Sequence, residues 1–145
     1  MTRYAIIGAG PAGLATMRAM SKAGLEVDGY EASADVGGLW DIENPRSSMY
    51  ESAHLISSRT TTEFTEFPMN SPVDYPGHRV LKQYFGEYAD HFGLRGRYAF
   101  HTTVTGVVRD PESDGWAVTS SGPTGVRTAS YDGVVLANGT LATPR

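Results

Sequence analysis

The sequence contains no cysteine among its 145 residues, and this absence excludes several kinds of protein. Disulfide frameworks, thiolate metal sites and redox dithiols all require cysteine. No apolar stretch approaches the ~18 residues of a membrane-spanning helix. The N-terminus runs directly into a strand pattern, without the apolar core and cleavage site of a signal peptide. We therefore expect a cytoplasmic protein with no membrane partner.

Basic clusters and metal-ligand patterns are also missing. The formal charge of −4 comes from 16 acidic and 12 basic side chains, and no basic block forms the electrostatic footprint of a nucleic-acid-binding protein. The four histidines lack metal-ligand spacing, so no metal site is predicted. Ser57 and Ser58 lack a surrounding nucleophile-elbow motif, which argues against a hydrolase. We expect small-molecule partners and no nucleic acid.

The beginning of the chain follows a β-α-β pattern. Residues 4–7 form a short apolar run that predicts a buried strand, and the segment PAGLATMRAMSKAG predicts a helix beginning at Pro11 and ending at Gly24. The segment LEVDGYE then returns to a strand pattern. This order predicts two parallel strands joined by a right-handed crossover.

The remaining residues predict an irregular excursion, a helix and several short strands. Residues 32–77 lack clear periodicity, whereas apolar residues from Val80 to Phe92 recur with helical spacing. Strand patterns at 99–102, 104–108, 116–120 and 126–131 predict a β-meander, and 133–137 predicts a last buried strand. The fold class is therefore α/β, with a parallel sheet and an inserted β-meander.

The segment GAGPAG is a G-x-G-x-x-G motif placed between the first strand and the first helix. Gly8 permits a tight turn, Gly10 lets a pyrophosphate approach the backbone, and Gly13 lets helix and strand pack closely. Pro11 and Ala12 open the helix, whose positive dipole end faces a bound phosphate. The motif predicts a dinucleotide site.

Glu31 ends the second strand, at about the distance from the glycines where a ribose-binding acid is found. A carboxylate there accepts bonds from both ribose hydroxyls and repels a 2′-phosphate. The predicted nucleotide is therefore FAD or NAD rather than NADP. The alternative is an α/β turn that binds no nucleotide and carries a surface Glu.

The segment GGLW combines two glycines with Leu39 and Trp40. Glycines allow the backbone to approach a ligand closely, and the indole ring offers a surface beside it. A core Trp after a turn would give the same pattern, so the residues alone leave both interpretations open.

Together, GAGPAG, Glu31, GGLW, YESAHLISSRTTTEFTEFP and LANGTLATP resemble the FAD-binding first part of flavin-containing monooxygenases, in the same order. The resemblance implies a Rossmann-like FAD-binding domain over residues 1–145 of a two-dinucleotide flavoprotein, with an NADPH domain outside this sequence. It also implies oxygenation of a small soft nucleophile or a ketone through a C4a-(hydro)peroxyflavin, and an enzyme that can form a homodimer.

The resemblance also implies a set of cofactor contacts, with FAD in this chain and NADPH in the full-length enzyme. Gly8 to Gly13 would cradle the FAD pyrophosphate, and Glu31 would hold the ribose. The other implied FAD contacts are Gly38, Leu39, Trp40, His54, Ile56, Ser57, Val104, Asn138 and Gly139. No catalytic residue is assigned.

Two positions depart from the family pattern. Ile56 stands where many members carry an Asn beside the flavin, which argues against amine oxygenation of the animal-enzyme type. Asn138 stands in a closing motif that more often reads Ala-Thr-Gly, and Asn tolerates the same turn. Two alternatives also remain: a stand-alone dinucleotide-binding module without monooxygenase activity, and a fragment of an NAD-dependent oxidoreductase.

Overall fold

The computed structural model describes residues 2–141 as two sheets and three helices. The helices are α1 (Pro11–Lys22), α2 (Arg59–Thr62) and α3 (His78–His91), with short 3-10 turns at Gly38–Trp40 and Arg95–Arg97. The strands are β1 (Arg3–Ile7), β2 (Glu26–Tyr30), β3 (Tyr98–Ala99), β4 (Thr103–Arg109), β5 (Trp116–Gly122), β6 (Gly125–Tyr131) and β7 (Gly133–Leu136). These bounds confirm the predicted β-α-β unit and the second long helix.

A four-stranded parallel sheet forms the centre of the domain, with the order β3-β2-β1-β7. In β1, Ile6 belongs to the main core between the sheet and the helices, whereas Ala5 packs on the meander side. Both residues are completely buried. Because both faces of β1 are covered, its sequence is a continuous apolar run rather than an alternating one.

The antiparallel meander β4-β5-β6 covers one face of this sheet. Val118 and Tyr131 form a small core with Ala5 there. Asp28, a partly buried carboxylate of β2, is stabilised at this junction because it accepts a hydrogen bond from the Tyr131 hydroxyl at 2.8 Å. The meander therefore also supplies the partner for a polar residue of the parallel sheet.

The predicted strand at 99–102 was wrong in its bounds and its sheet. The observed strand β3 pairs in parallel with β2, with Tyr98 opposite Gly29. The Tyr98 ring occupies the space beside Gly29, where a methyl group would lie 2.3 Å from a ring carbon. The local sequence pattern suggested a strand of the meander. Gly29, which is distant in sequence, instead provides the surface on which Tyr98 packs, and this places β3 in the parallel sheet.

The other face of the sheet packs against α1 and α3. The buried side of α3 includes Leu81, Tyr84, Phe85, Tyr88 and Ala89, which are residues of the predicted apolar stripe. Burial raises the pKa of Tyr88 to about 12. No helix in residues 2–141 is long and apolar enough to span a membrane.

Candidate dinucleotide site

The glycine motif lies at the carboxyl end of β1, where Gly8 and Gly13 bring the strand and α1 into contact. Gly8 has a left-handed backbone, with φ of 112°, and a methyl group there would lie 2.4 Å from the Ala137 carbonyl oxygen. A methyl group on Gly13 would meet the backbone of Gly8. Each position therefore requires glycine, as the fingerprint predicts.

The N-terminus of α1 has no side-chain cap within the described residues. Gly10 provides no side-chain hydrogen bond, Pro11 follows it, and the first turn contains no acidic residue. The first amides of a helix have no intrahelical acceptor, and the helix dipole makes this end positive. This end of α1 can therefore bind an anion such as a pyrophosphate.

Glu31 is buried beside this loop, with 8% of its surface exposed. Its Oε2 accepts a hydrogen bond from the Ala9 amide at 2.7 Å, and its Oε1 accepts two from Ser33, from the amide and the hydroxyl, each at 2.8 Å. The carboxylate has about four acceptor positions. One position is therefore left for a ribose hydroxyl.

A second ribose bond depends on Ser33. Its hydroxyl also lies 2.9 Å from the Asp35 carbonyl oxygen, and a hydroxyl has a single proton to donate. When that proton points to Asp35, Glu31 has a further acceptor position. The predicted pair of ribose bonds thus requires this orientation of Ser33.

The Gly37–Trp40 turn packs directly on the glycine motif. A methyl group on Gly38 would lie 2.9 Å from the Gly10 Cα atom, and the Gly37 amide donates to the Ala9 carbonyl at 3.0 Å. Gly37 and Gly38 both have left-handed backbones, with φ of 119° and 56°. Trp40 is partly buried and packs against the main core. One part of the ring therefore has the packing role that the sequence left open.

The end of β7 reaches the same place. The Ala137 amide donates to the Ile7 carbonyl at 2.8 Å, and a methyl group on Gly8 would lie 3.3 Å from the Cα of Asn138. Gly139 follows with a left-handed φ of 74°. Asn138 and Gly139 therefore border the glycine motif, while residues 142–144 of the closing motif lie outside the described residues.

The chain leading to Val104 passes beside Glu31. The Thr102 amide donates to the Glu31 carbonyl at 2.9 Å, and the His101 amide donates to the Ser33 carbonyl at 3.0 Å. Val104 then pairs with Ser120 at the start of the meander. The backbone before Val104 therefore lies beside Glu31, and the role of Val104 toward a cofactor stays a prediction.

The loop that contains His54, Ile56 and Ser57 is bonded to the segment that leads into α3 rather than to the glycine motif. The Leu55 amide donates to the Pro76 carbonyl at 3.0 Å, and Ile56 is 94% exposed. The Ser57 hydroxyl lies 2.8 Å from that of Thr62 in α2. The described contacts do not bring these three side chains to the glycine motif, so their role toward a cofactor stays a prediction.

Two supporting residues were not predicted from the sequence. Ser33 lies two residues after Glu31, and this spacing could have suggested a side chain that orients the carboxylate. Tyr98 donates to the Gly8 carbonyl at 3.2 Å, and burial raises the pKa of its hydroxyl. No local signal points to Tyr98, because it reaches the motif from 90 residues away.

One cavity of the described residues lies away from the glycine motif. It has a volume of about 570 Å³, lies at the opposite end of the sheet and is bordered by Arg3, Asp28 and Arg97. Its lining includes none of the glycine-motif residues. These residues, the Gly37–Trp40 turn and Asn138–Gly139 border the candidate cofactor groove. No cluster of His, Asp and Glu within residues 2–141 could hold a metal ion.

These features together fit the pyrophosphate and ribose of a dinucleotide. Three segments meet without intervening side chains at Gly8, Gly10 and Gly38, and the closest approaches leave no room for a methyl group at Gly8 or Gly38. Ala9 lies just before the positive end of α1, and its amide bonds to the buried carboxylate of Glu31.

Comparison with known proteins identifies the family. The family model for flavin-binding monooxygenase-like proteins matches residues 1–145. Among curated proteins, flavin-containing monooxygenase 1 from Mus musculus is 33% identical over 152 residues, which cover 98% of this chain and 28% of the relative. Dimethylaniline monooxygenase [N-oxide-forming] 2 from Oryctolagus cuniculus is 33% identical, with 94% of this chain and 27% of the relative covered. The chain thus spans just over a quarter of these relatives.

Solved structures agree with the sequence comparison. S-allyl-L-cysteine S-oxygenase from Allium sativum superposes with a TM-score of 0.88 and 27% identity, covering 99% of this chain and 37% of that protein. Oxidized steroid monooxygenase bound to NADP gives a TM-score of 0.81 and 28% identity, covering 95% of this chain and 26% of that protein. This chain therefore has the Rossmann-like fold of an FAD-binding domain and belongs to the flavin-binding monooxygenase-like family.

Proposed function

We propose that this chain holds FAD within an NADPH-using monooxygenase that oxygenates a small soft nucleophile or a ketone. The observation that carries the proposal is the meeting of the Gly8–Gly13 loop, the Gly37–Trp40 turn and the Asn138–Gly139 turn at one edge of the sheet. The family match favours this function over the fragment of an NAD-dependent oxidoreductase.

Each part of the groove has a separate binding task. The amide groups at the start of α1 bind the pyrophosphate of FAD, because that end of the helix is positive and uncapped within the described residues. Glu31 accepts a ribose hydroxyl at Oε2 and keeps the Ala9 amide in place. Gly38 lets the cofactor pass close to the backbone, with Leu39 and Trp40 along the flavin.

When bound, FAD supplies the redox and oxygen-transfer chemistry, and the protein supplies binding and orientation. The buried Glu31 carboxylate repels the 2′-phosphate of NADPH from this groove. The nicotinamide nucleotide therefore binds outside the groove. We propose that it binds in a separate NADPH domain of the full-length enzyme. We also propose that the enzyme is cytoplasmic and forms a homodimer.

The proposed substrate class rests on the relatives and on Ile56. The similar proteins are named as an N-oxide-forming dimethylaniline monooxygenase, an S-allyl-L-cysteine S-oxygenase and a steroid monooxygenase. The Ile56 side chain is almost fully exposed and has no hydrogen-bonding group. We therefore favour sulfur or ketone oxygenation over amine oxygenation.

The test is cofactor binding by the purified protein. FAD is added, unbound flavin is removed, and the visible spectrum and fluorescence of the retained fraction are recorded, with NAD in a parallel titration. Stoichiometric retention of FAD supports the proposal. Tight binding of NAD without retention of FAD would contradict it and favour the oxidoreductase fragment.

A further inference from the structure

Lys82 contacts both ends of the Gly37–Trp40 turn from the side of α3. Its ammonium donates to the Asp35 carboxylate at 2.6 Å and to the Val36 carbonyl at 2.5 Å, and lies 3.3 Å from the Asp41 carboxylate. An ammonium group has three protons to donate. Two of these protons bond to Asp35 and Val36, just before the turn, and the ion pair with Asp41 lies immediately after it.

The stem of Lys82 also contacts the turn. A methyl group on Gly37 would lie 3.0 Å from the Lys82 Cδ atom, so the aliphatic chain packs over the glycine backbone. The Lys82 side chain is 25% exposed and that of Asp41 only 10% exposed. These contacts are therefore better shielded from water than those of an ordinary surface ion pair.

Asp35 has a second cationic partner. Arg95, which follows α3, forms an ion pair with Asp35 and another with Asp90 at 2.6 Å. Lys82 and Arg95 thus fix Asp35 from two directions. Lys82 alone reaches the far side of the turn, because the acceptors of Arg95 do not include Asp41.

This turn packs directly on the glycine motif, beside the candidate cofactor groove. The Gly37 amide donates to the Ala9 carbonyl, and Gly38 lies against the Cα of Gly10. A displacement of the turn by a few tenths of an ångström would alter this contact. The contacts of Lys82 therefore bear on how the cofactor groove is shaped.

We propose that Lys82 is a positioning residue that holds the Gly37–Trp40 turn in the geometry needed by the flavin half of the cofactor. The inference rests on the proposed function, because the turn acts on FAD only if FAD lies along it. Lys82 itself touches the flanks of the turn, not the reacting groups.

The first test uses cofactor-free protein and so does not depend on FAD. Lys82→Met keeps an unbranched apolar stem and removes both hydrogen bonds and the ion pair with Asp41. We expect amide hydrogen exchange at residues 37–41 to accelerate about tenfold, since charge-assisted bonds of this kind typically contribute that much or more. Unchanged exchange in this segment would overturn the inference.

Arg79→Met is the matched control on the same helix. Arg79 forms an ion pair with Glu51, and both side chains are largely exposed, at 65% and 72%. This variant removes a cation from α3 without touching the turn, so exchange at residues 37–41 should stay at the wild-type rate. Equal acceleration in both variants would indicate a general loss of helix stability and overturn the inference.

The second test compares FAD with ADP, which lacks the flavin half. Lys82→Met should weaken FAD binding about tenfold and ADP binding no more than about twofold, and Lys82→Arg should restore part of the FAD affinity. Equal losses for both ligands would overturn the positioning role. Wild-type protein that binds ADP but not FAD would instead refute the proposed function, so the two failures are distinguishable.

A milder variant serves if Lys82→Met does not fold. Asp41→Asn removes the charge of one partner and leaves the Lys82 bonds to Asp35 and Val36 intact. It should accelerate exchange in the same segment and weaken FAD binding more than ADP binding. Wild-type exchange and wild-type affinity for FAD would overturn the inference.

Discussion

A methyl group on Gly13 would lie 1.9 Å from the carbonyl oxygen of Gly8, so α1 and the end of β1 meet at this pair without space for a side chain. Gly13→Ala must push the helix away from the strand. We expect unfolding free energy to fall by about 1–3 kcal/mol and FAD binding to weaken with it. Chemical denaturation and FAD titration measure the two effects.

Gly96→Ala is the control for this substitution. No heavy atom lies within 4 Å of a methyl group at Gly96, and its backbone is not left-handed. Its effect on stability should stay within about 0.5 kcal/mol. If Gly13→Ala is equally mild, the close packing at the fingerprint has no energetic importance.

Glu31→Gln tests the buried carboxylate without changing its size. The amide nitrogen cannot accept a bond, so either the Ala9 amide or the Ser33 groups lose their partner. We expect FAD binding to weaken by about 1.5–3 kcal/mol, the range for a hydrogen bond to a charged group. Glu26→Gln, at the exposed start of β2, the strand that leads to Glu31, should leave affinity unchanged. Indistinguishable affinities would remove Glu31 from the site.

Alkaline pH should destabilise the protein through its buried tyrosines. Burial raises the pKa of Tyr84, Tyr88, Tyr98 and Tyr131 above the ordinary value of 10.0. The folded state then holds these protons more tightly than the unfolded state. The resulting stability is fully present below pH 10.0 and is lost as pH rises from there toward the folded values.

The measurement is the urea midpoint between neutral and strongly alkaline pH, with phenolate absorbance followed in parallel. We expect a nearly constant midpoint up to about pH 9 and a decline above about pH 10. The four buried hydroxyls should ionise together with unfolding. Ionisation of all eight tyrosines near pH 10.0, with the fold retained, would contradict these pKa shifts.

The 145-residue chain loaded with FAD should not oxidise NADPH faster than free FAD does. Hydride transfer requires the nicotinamide about 3–3.5 Å from the flavin, and such positioning can supply about 7–11 kcal/mol of the barrier. The sequence contains one glycine fingerprint, and Glu31 beside it repels a 2′-phosphate. Saturable NADPH consumption, well above that of free FAD at equal concentration, would reveal a nicotinamide site that we did not predict.

Local sequence signals were sufficient for the main elements of the fold. The spacing of Leu81, Tyr84, Phe85 and Tyr88 predicted α3 and its buried side, because amphipathic periodicity depends only on neighbouring residues. The position of β3 was not predictable in this way. It depends on Tyr98 packing beside Gly29, a contact between residues 69 positions apart that no local pattern encodes.

The candidate site likewise contains residues that local sequence predicted and residues that it did not. Gly8, Gly10, Gly13 and Glu31 followed from a motif whose spacing is set by a single strand-helix-strand unit. The residues outside this unit that contact the candidate site could not be predicted from such a motif. Lys82 lies opposite the apolar residues of the helix, where local sequence gives no sign of a role in the site, and only the folded chain brings its ammonium to Asp35 and Asp41.

The central place of β1 in the sheet determines the order in which this domain can fold. Its neighbours are β2, which follows it closely in the chain, and β7, whose Gly133 pairs with Tyr4. The Arg3 amide also bonds to Asp132, 129 residues away. During synthesis, one edge of β1 must therefore stay unpaired until residues 133–136 have left the ribosome. Such late, long-range pairing slows folding and exposes an aggregation-prone edge.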